Sequence, residues 1–322
     1  MMYLLALGGF VLLFAGGEWL VRGAVTVSRR FGISPLLIGL TIVAFCTSAP
    51  ELLVSLEAAS RGQIDIAVGN VVGSNIANVL LIIGVSALIF PIVVKKAEMR
   101  RDTLVMLAAI MLMTGLAILG TIERWHGGLM LGALITYIWY AYWTEVHSET
   151  PSAELHVRGA EEFSGVSKRL WLGFLELGIG LGALVVGSRM LVNGAGEIAR
   201  EFGVPEAVIG LTLVAVGTSL PELATSVMAA LRGHADVAVG NVVGSNLFNV
   251  AAIIGLTSLF HPLPVSETIA SFDIWVMLGS SLLLAALLLL RGRIGRMAGA
   301  LLLAAYIGYV AFLYTGGPAA LA

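Results

Sequence analysis

Residues 41–84 read TIVAFCTSAPELLVSLEAASRGQIDIAVGNVVGSNIANVLLIIG, and residues 212–255 read TLVAVGTSLPELATSVMAALRGHADVAVGNVVGSNLFNVAAIIG. The second stretch repeats the first at a constant distance, because Glu222 follows Glu51 by 171 positions and Asn249 follows Asn78 by the same number (222 − 51 = 249 − 78). Each copy places a glutamate inside an apolar run, where a carboxylate is costly to keep. We infer that the two glutamates act together.

The composition indicates whether this chain is surrounded by water or by lipid. Of 322 residues, 58% are hydrophobic and only 12% are charged, and the mean hydropathy is +0.98. These values are typical of a polytopic membrane protein and exclude an ordinary soluble domain. The single cysteine, Cys46, excludes an internal disulfide and a thiolate metal cluster. The lipid bilayer is therefore the expected surrounding, and nothing in the sequence indicates a cofactor, a nucleic acid or a protein partner.

Apolar runs of about 20 residues each predict membrane-spanning helices. The sequence predicts ten of them, five in each copy, in an all-α membrane protein. They are expected near residues 3–21, 34–59, 66–90, 103–121, 128–146, 170–192, 205–230, 237–260, 271–290 and 297–315. The expected organisation is a first repeat (1–146), a polar connector (147–169) and a second repeat (170–322). The first run lacks the basic start of a signal peptide, so we interpret it as a span.

The distribution of basic residues predicts the orientation in the membrane. If the N-terminus lies outside, the inner loops hold 14 of the 18 Lys and Arg residues and the outer loops hold 4. Cytoplasmic loops carry the excess of these residues, so both termini are expected outside the membrane, with the connector inside. Five helices per copy make the second copy enter from the opposite side. Inverted repeats with broken helices at the midplane are typical of secondary transporters.

A proline motif carries the acid in each copy, TSAPE at 47–51 and TSLPE at 218–222. Proline lacks an N–H and crowds the carbonyl four residues earlier, so each helix is expected to break and to release the carbonyl of Cys46 or Gly217. Carboxylate, hydroxyl and backbone oxygens together are the ligands that Ca²⁺ prefers. A kink used only for packing is the alternative, but it does not explain why the acid occurs in both copies.

The second motif is GNVVGSN, followed by Ile-Ala-Asn in one copy and Leu-Phe-Asn in the other. On a helix, Ser74 and Asn78 lie on one face, as do Ser245 and Asn249. The glycines form G-x-x-x-G steps, which helix packing alone would explain. Packing does not explain the asparagines, whose amide oxygens are suited to line a cation site.

Taken together, the two motifs resemble the α-repeats of the cation/calcium antiporter superfamily, most closely its compact prokaryotic sodium/calcium exchangers. The resemblance implies Na⁺ import coupled to Ca²⁺ extrusion by alternating access, with these two ions as substrates. It implies that Glu51, Glu222 and the carbonyls of Thr47 and Thr218 hold Ca²⁺. For Na⁺ it implies the same glutamates, the carbonyls of Ala44 and Ala215, and the hydroxyls of Ser48, Ser74, Ser219 and Ser245. It places Asn78 and Asn249 in the middle of the site.

Charge counting agrees with exchange. Two ionised glutamates are neutralised by one Ca²⁺, whereas three Na⁺ would leave one net positive charge, so the exchange is expected to be electrogenic. Several relatives, including K⁺-dependent exchangers, carry Asp where this chain has Asn249, so K⁺ dependence is not expected.

Three other functions are compatible with parts of the pattern. A proton-coupled Ca²⁺ antiporter needs acids that bind protons in a desolvated site, which glutamates provide. A passive cation channel needs the same oxygens but would conduct without a counter-ion. An intramembrane hydrolase is the weakest alternative, because the sequence shows no nucleophile with a base and no pair of aspartates. We therefore expect a transporter and not an enzyme.

Overall fold

The structure is a computed structural model that describes residues 1–31, 35–94, 96–146, 169–201 and 215–314. Within these ranges almost every residue is helical, because long apolar segments can satisfy their backbone in lipid only by helical hydrogen bonds. The predicted connector (147–169) lies almost entirely outside the described residues, as does the beginning of the helix expected at 205–230.

Helices follow one another along the chain with short breaks. The first copy contains α1 (Met2–Phe31), α2 (Pro35–Ile38), α3 (Ala44–Thr47), α4 (Ala49–Ser60), α5 (Ile64–Ala77), α6 (Gly84–Ile89), α7 (Lys96–Ile118) and α8 (Arg124–Val146). The second contains α9 (Leu170–Glu201), α10 (Ala215–Thr218), α11 (Leu220–Leu231), α12 (Ala235–Phe248), α13 (Gly255–Phe260), α14 (Ile274–Ala286) and α15 (Arg296–Tyr314). Five π-helical segments connect some of them: π1 (Gly39–Val43), π2 (Asn78–Ile83), π3 (Asn249–Ile254), π4 (Ile269–Asp273) and π5 (Leu287–Arg291).

Seven stretches of the described chain are helical, long and apolar enough to cross a membrane, and one broken pair, 36–60, makes an eighth. The protein is therefore an all-α membrane protein, as the sequence predicts. Helix α8 has the length of a span, at 23 residues, but is not among the seven. The count of ten spans and their inverted topology stay predictions.

The helix breaks expected at the two proline motifs are confirmed. Ser48 separates α3 from α4 with φ −83° and ψ 1°, and Ser219 separates α10 from α11 with φ −88° and ψ 5°. Both conformations lie outside the helical region, and proline occupies the first turn of the helix that follows, where its missing N–H is tolerated. Each glutamate therefore stands in the first turn of a new helix.

Two matching helices change their winding at the same place. Helix α5 gives way to π2 at Asn78, and α12 gives way to π3 at Asn249, 171 residues later (249 − 78). A π segment shifts the backbone hydrogen bonds by one residue, and such segments occur often at functional sites. The sequence analysis predicted ordinary helices here, and this is the main local departure from it.

The described chain divides into two units, and each contains parts of both copies. The first unit comprises 1–47 and 135–241. In it, α1 packs along α9 through glycines spaced seven apart, Gly9, Gly16 and Gly23 on α1 and Gly173, Gly180, Gly187 and Gly194 on α9. A Cβ atom on Gly180 would lie only 2.8 Å from the Gly16 carbonyl oxygen and 2.6 Å from the Leu20 nitrogen. The absence of side chains there permits backbone-to-backbone approach.

The second unit comprises 48–134 and 242–322. Helix α15 packs on π2 and α6, and α14 packs on α5 and α7. Two short antiparallel pairs also join the copies: β1 (Ile92–Val93) with β4 (Arg293–Ile294), and β2 (Thr121–Ile122) with β3 (Leu263–Pro264). These two-residue strands were not predicted, since a run of two residues carries no periodicity.

Candidate ion-binding site

In the first unit, the second-copy glutamate lies in a hydrogen-bonded cluster. Glu222 is 1% exposed, and the amide Nδ2 of Asn241 donates to its main-chain oxygen at 3.4 Å and to the Ser226 hydroxyl at 3.0 Å. Asn241 is itself fully buried. The amide therefore binds both ends of one turn of α11, at Glu222 and at Ser226 four residues later.

The first-copy motif reaches the same amide. The Thr47 hydroxyl lies 3.2 Å from the Oδ1 of Asn241 and 3.3 Å from the Ala44 carbonyl oxygen, so it is placed to donate to either. Thr47 and Ala44 are both fully buried. Residues of the two copies therefore meet around Asn241, inside one unit, as a shared site requires.

Predicted second-copy ligands also lie in this unit. Ala215 begins α10, Thr218 ends it half-buried, and Ser219 is 2% exposed at the break. The carbonyl of Gly217, expected to be released by proline, accepts a hydrogen bond from the Ser188 hydroxyl of α9. That oxygen thus has a protein partner.

The difference between Cys46 and Gly217 has a steric reason. A Cβ atom at Gly217 would collide with a methyl group of Val192, whereas Cys46 packs partly buried against the core of the first unit. The sequence alone gave no basis for this difference.

The second unit repeats the arrangement around the first-copy glutamate. Glu51 is 1% exposed, and Nδ2 of Asn70 donates to its main-chain oxygen at 3.1 Å and to the Ser55 hydroxyl at 2.9 Å. Ser48, at the helix break before this turn, is 3% exposed. Because the same contacts occur in both units, chance alone does not explain them.

The asparagines of the second motif meet in this unit as well. Nδ2 of Asn78 donates to Oδ1 of Asn246 at 3.0 Å, which joins π2 of one copy to α12 of the other. Asn249 is 1% exposed, and within the described residues neither end of its amide has a hydrogen-bond partner. Buried amide groups are normally satisfied, so this amide is suited to a ligand or water. Ser74 and Ser245 are buried one turn earlier on their helices.

Several residues of this network were missed by the sequence analysis. They are Ser55, Asn70, Ser226, Asn241 and Asn246. The signal that would have found four of them was present, because Asn241 follows Asn70 and Ser226 follows Ser55 by the same 171 positions (241 − 70 = 226 − 55). What the sequence does not reveal is which of the three asparagines in each motif faces which neighbour.

Acids outside the motifs have other partners. Glu18 accepts both Nη2 and Nε of Arg232, at 2.6 and 2.8 Å, and Glu176 lies 3.6 Å from Arg22. The partners of both acids are therefore arginines.

Asp102 and Asp273 are two further acids that lie outside the motifs. Asp273 accepts the Tyr309 hydroxyl at 2.8 Å, and fully buried Asp102 contacts Arg101 at 2.7 Å. Asp102 and Asp273 are 171 positions apart (273 − 102), so they occupy equivalent positions in the two copies.

Comparison with known proteins identifies the family. A family model described as "Sodium/calcium exchanger protein" matches residues 1–143 and 172–315. The chain belongs to the sodium/calcium exchanger family. Members of this family are transporters. The two matched segments agree with the two copies recognised in the sequence.

Individual relatives span nearly the whole chain. The sodium/calcium exchanger MaX1 of Methanosarcina acetivorans is 34% identical over 97% of this chain and 98% of its own length. The putative antiporter CaxA of Alkalimonas amylolytica is 39% identical over 95% of this chain and 97% of its own. A solved structure of the sodium-calcium exchanger NCX_Mj, soaked with Na⁺ and Ca²⁺, has a TM-score of 0.81 at 34% identity and covers 96% of this chain and 97% of that one.

Proposed function

We propose that this protein is a secondary antiporter that exchanges Na⁺ for Ca²⁺ by alternating access and extrudes Ca²⁺. The observation that carries the proposal is the duplicated, buried glutamate in a family of sodium/calcium exchangers, Glu51 in one unit and Glu222 in the other. The name of MaX1 and the soaked ions of NCX_Mj support the same pair of substrates.

In this proposal the two carboxylates share one Ca²⁺. A divalent cation neutralises both charges and gains further oxygens from the main chain at the helix breaks, where Thr47 and Thr218 lie. We propose that Na⁺ uses the same glutamates with the carbonyls of Ala44 and Ala215. The hydroxyls of Ser48, Ser219, Ser74 and Ser245 complete the Na⁺ ligands, and Asn78 and Asn249 line the middle of the site.

Coupling follows from charge. An unoccupied pair of carboxylates is costly to carry through a medium of low dielectric constant, so only the neutralised or overfilled site moves between the two faces. Filling by three Na⁺ leaves one positive charge, which makes the exchange electrogenic. The two sequence motifs contain no third carboxylate, and the resemblance to the antiporter superfamily implies an Asp at the position of Asn249 in K⁺-dependent members, so we propose K⁺ independence.

Orientation is part of the proposal. The distribution of basic residues supports an orientation in which both termini lie outside, and we propose a plasma membrane of prokaryotic type with the connector in the cytoplasm. The repeats 1–146 and 170–322 are then inverted with respect to the membrane, as in many secondary transporters.

The test is Ca²⁺ flux into proteoliposomes with the Na⁺ gradient, K⁺, pH and membrane voltage varied one at a time. We expect uptake that requires an outward-directed Na⁺ gradient, responds to voltage and ignores K⁺. Uptake driven by a pH gradient without Na⁺ would instead establish the proton-coupled alternative, which the antiporter name of CaxA leaves open. Flux that ignores the Na⁺ gradient, the pH gradient and K⁺ would indicate a channel.

A further inference from the structure

The turn of helix that carries each glutamate is weakly held by its own helix. Glu51 is the third residue of α4 and Glu222 is the third residue of α11. Each directly follows a proline and comes three residues after the serine at which the helix is interrupted. The first turn of a helix has few internal hydrogen bonds, because its N–H groups have no carbonyl one turn earlier. A ligand placed there needs support from outside the helix.

That support comes from one side chain in each unit. The two hydrogens of the Asn70 amide bind the carbonyl of Glu51 and the hydroxyl of Ser55. These two groups are four residues apart and therefore lie one above the other on the same face of α4. An amide that binds both fixes the rotation of the turn about the helix axis and its position along that axis.

Asn241 makes the equivalent bonds to α11, and its oxygen lies within hydrogen-bond distance of the Thr47 hydroxyl. Both N–H groups of its amide are used on the glutamate-bearing helix, and its oxygen lies against a hydroxyl donor. The side chain is therefore committed to protein groups at both ends. Its geometry is that of a support, and not of an ion ligand.

We propose that Asn70 and Asn241 are positioning residues that set the affinity of the site for both ions without touching either ion. Each holds its glutamate turn by the main chain, at the glutamate itself and at the serine one turn later. The inference rests on the proposed function, because it assumes that the two glutamates bind the transported ions. Since Ca²⁺ and Na⁺ use the same glutamates, a displaced turn weakens both.

The experiment measures Na⁺-driven Ca²⁺ uptake by the full-length protein in proteoliposomes, with the KM for each ion and the maximal rate determined separately. We expect Asn70→Ala and Asn241→Ala each to raise the KM for Ca²⁺ and for Na⁺ by about tenfold, the size expected for loss of a buried hydrogen-bonded amide. The maximal rate at saturating ions is expected to stay within about twofold of the wild type.

Asn75→Ala is the matched control. Asn75 is a fully buried asparagine of the same helix as Asn70, and among the described residues its Nδ2 donates within that helix, to the Val71 carbonyl at 2.7 Å. Its loss removes an amide of the same volume without releasing the glutamate turn, so the KM values are expected to stay at the wild-type level. Equal KM changes in Asn75→Ala and Asn70→Ala would overturn the proposal, because a general packing defect would then account for both.

Ser55→Ala and Ser226→Ala keep the test decisive if the asparagine variants do not fold. Ser55→Ala removes the second hydrogen-bond partner of the Asn70 amide, and Ser226→Ala removes that of the Asn241 amide. We expect the KM for both ions to rise about threefold in each variant. Unchanged KM values in both serine variants would overturn the proposal. A wild type that shows no Na⁺-dependent Ca²⁺ uptake would contradict the proposed function itself, which separates the two failures.

Discussion

The proposed cation site depends first on two single residues. Glu51 and Glu222 are each 1% exposed, and an ionised carboxylate buried to this degree is tolerated only with compensation from a partner, a proton or a metal ion. The surrounding groups are mainly amides, hydroxyls and carbonyls, which are ligands for hard cations. Under the proposed function, the transported cation compensates the two carboxylate charges while it is bound.

Asn249 is the residue that best tests the electrostatics of the site. In Asn249→Asp, the new carboxyl adjoins the acidic site, where like charges favour its protonated form at low pH. We expect its Ca²⁺ affinity to match that of the wild type at low pH and to increase as pH rises and the carboxyl ionises. Ca²⁺ titrations of both proteins over a range of pH around neutrality measure this, and identical pH profiles would contradict the placement of Asn249 in the site.

At the same scale, the sequence identified the acids, but not the groups that hold them. Glu51 and Glu222 were recognisable because a charge in an apolar run has no packing explanation. Asn70 and Asn241 were not, because an asparagine on a helix has no visible direction until neighbouring helices are placed. Their role depends on contacts 15 and 19 residues apart along the chain, which no local pattern encodes.

Among the described elements of the first unit, α1 and α9 share the most extensive contact. Their glycines recur every seven residues and let the two backbones approach closely at those positions, while Leu20 and Leu184 pack in the core of the same unit. A bulky residue at one of these glycines would force the two backbones apart.

Gly180→Leu tests this contact. The added side chain would start 2.6 Å from the Leu20 nitrogen, so α1 and α9 must separate. We expect Ca²⁺ uptake to fall at least tenfold and the melting temperature to drop, because overpacking of this kind typically costs about 1–3 kcal/mol. Gly178→Leu is the control, since a Cβ there meets no described atom within 4 Å and should leave both measurements near the wild type. Equal effects of the two changes would contradict the account.

The element boundaries show what sequence periodicity cannot resolve. The breaks at Ser48 and Ser219 followed from proline chemistry and were predictable. The π segments that begin at Asn78 and Asn249 were not, because a π turn differs from an α turn by one residue and depends on the groups that take up the displaced carbonyls. Both occur at a residue that the sequence had already singled out for its chemistry.

At the scale of the whole molecule, the duplication is the dominant feature. Each structural unit takes helices from both copies, so that neither copy forms a unit by itself. Residues of the two copies therefore meet within each unit, Thr47 beside Asn241 in one and Asn78 beside Asn246 in the other. The all-helical membrane fold was predictable from composition. The formation of each unit from segments of both copies was not predictable, because it depends on long-range packing.

Ca²⁺ binding to the purified protein tests the central claim, that the two repeated glutamates hold one ion together. Isothermal titration calorimetry is expected to give one Ca²⁺ per chain for the wild type and no measurable binding for Glu51→Gln or Glu222→Gln, since one carboxylate cannot neutralise the ion. Asp65→Asn and Asp236→Asn are the controls, because these acids also stand 171 positions apart (236 − 65) but lie in the first turns of α5 and α12, and both should bind as the wild type does. Binding of Ca²⁺ with wild-type affinity by either glutamine variant would contradict the account.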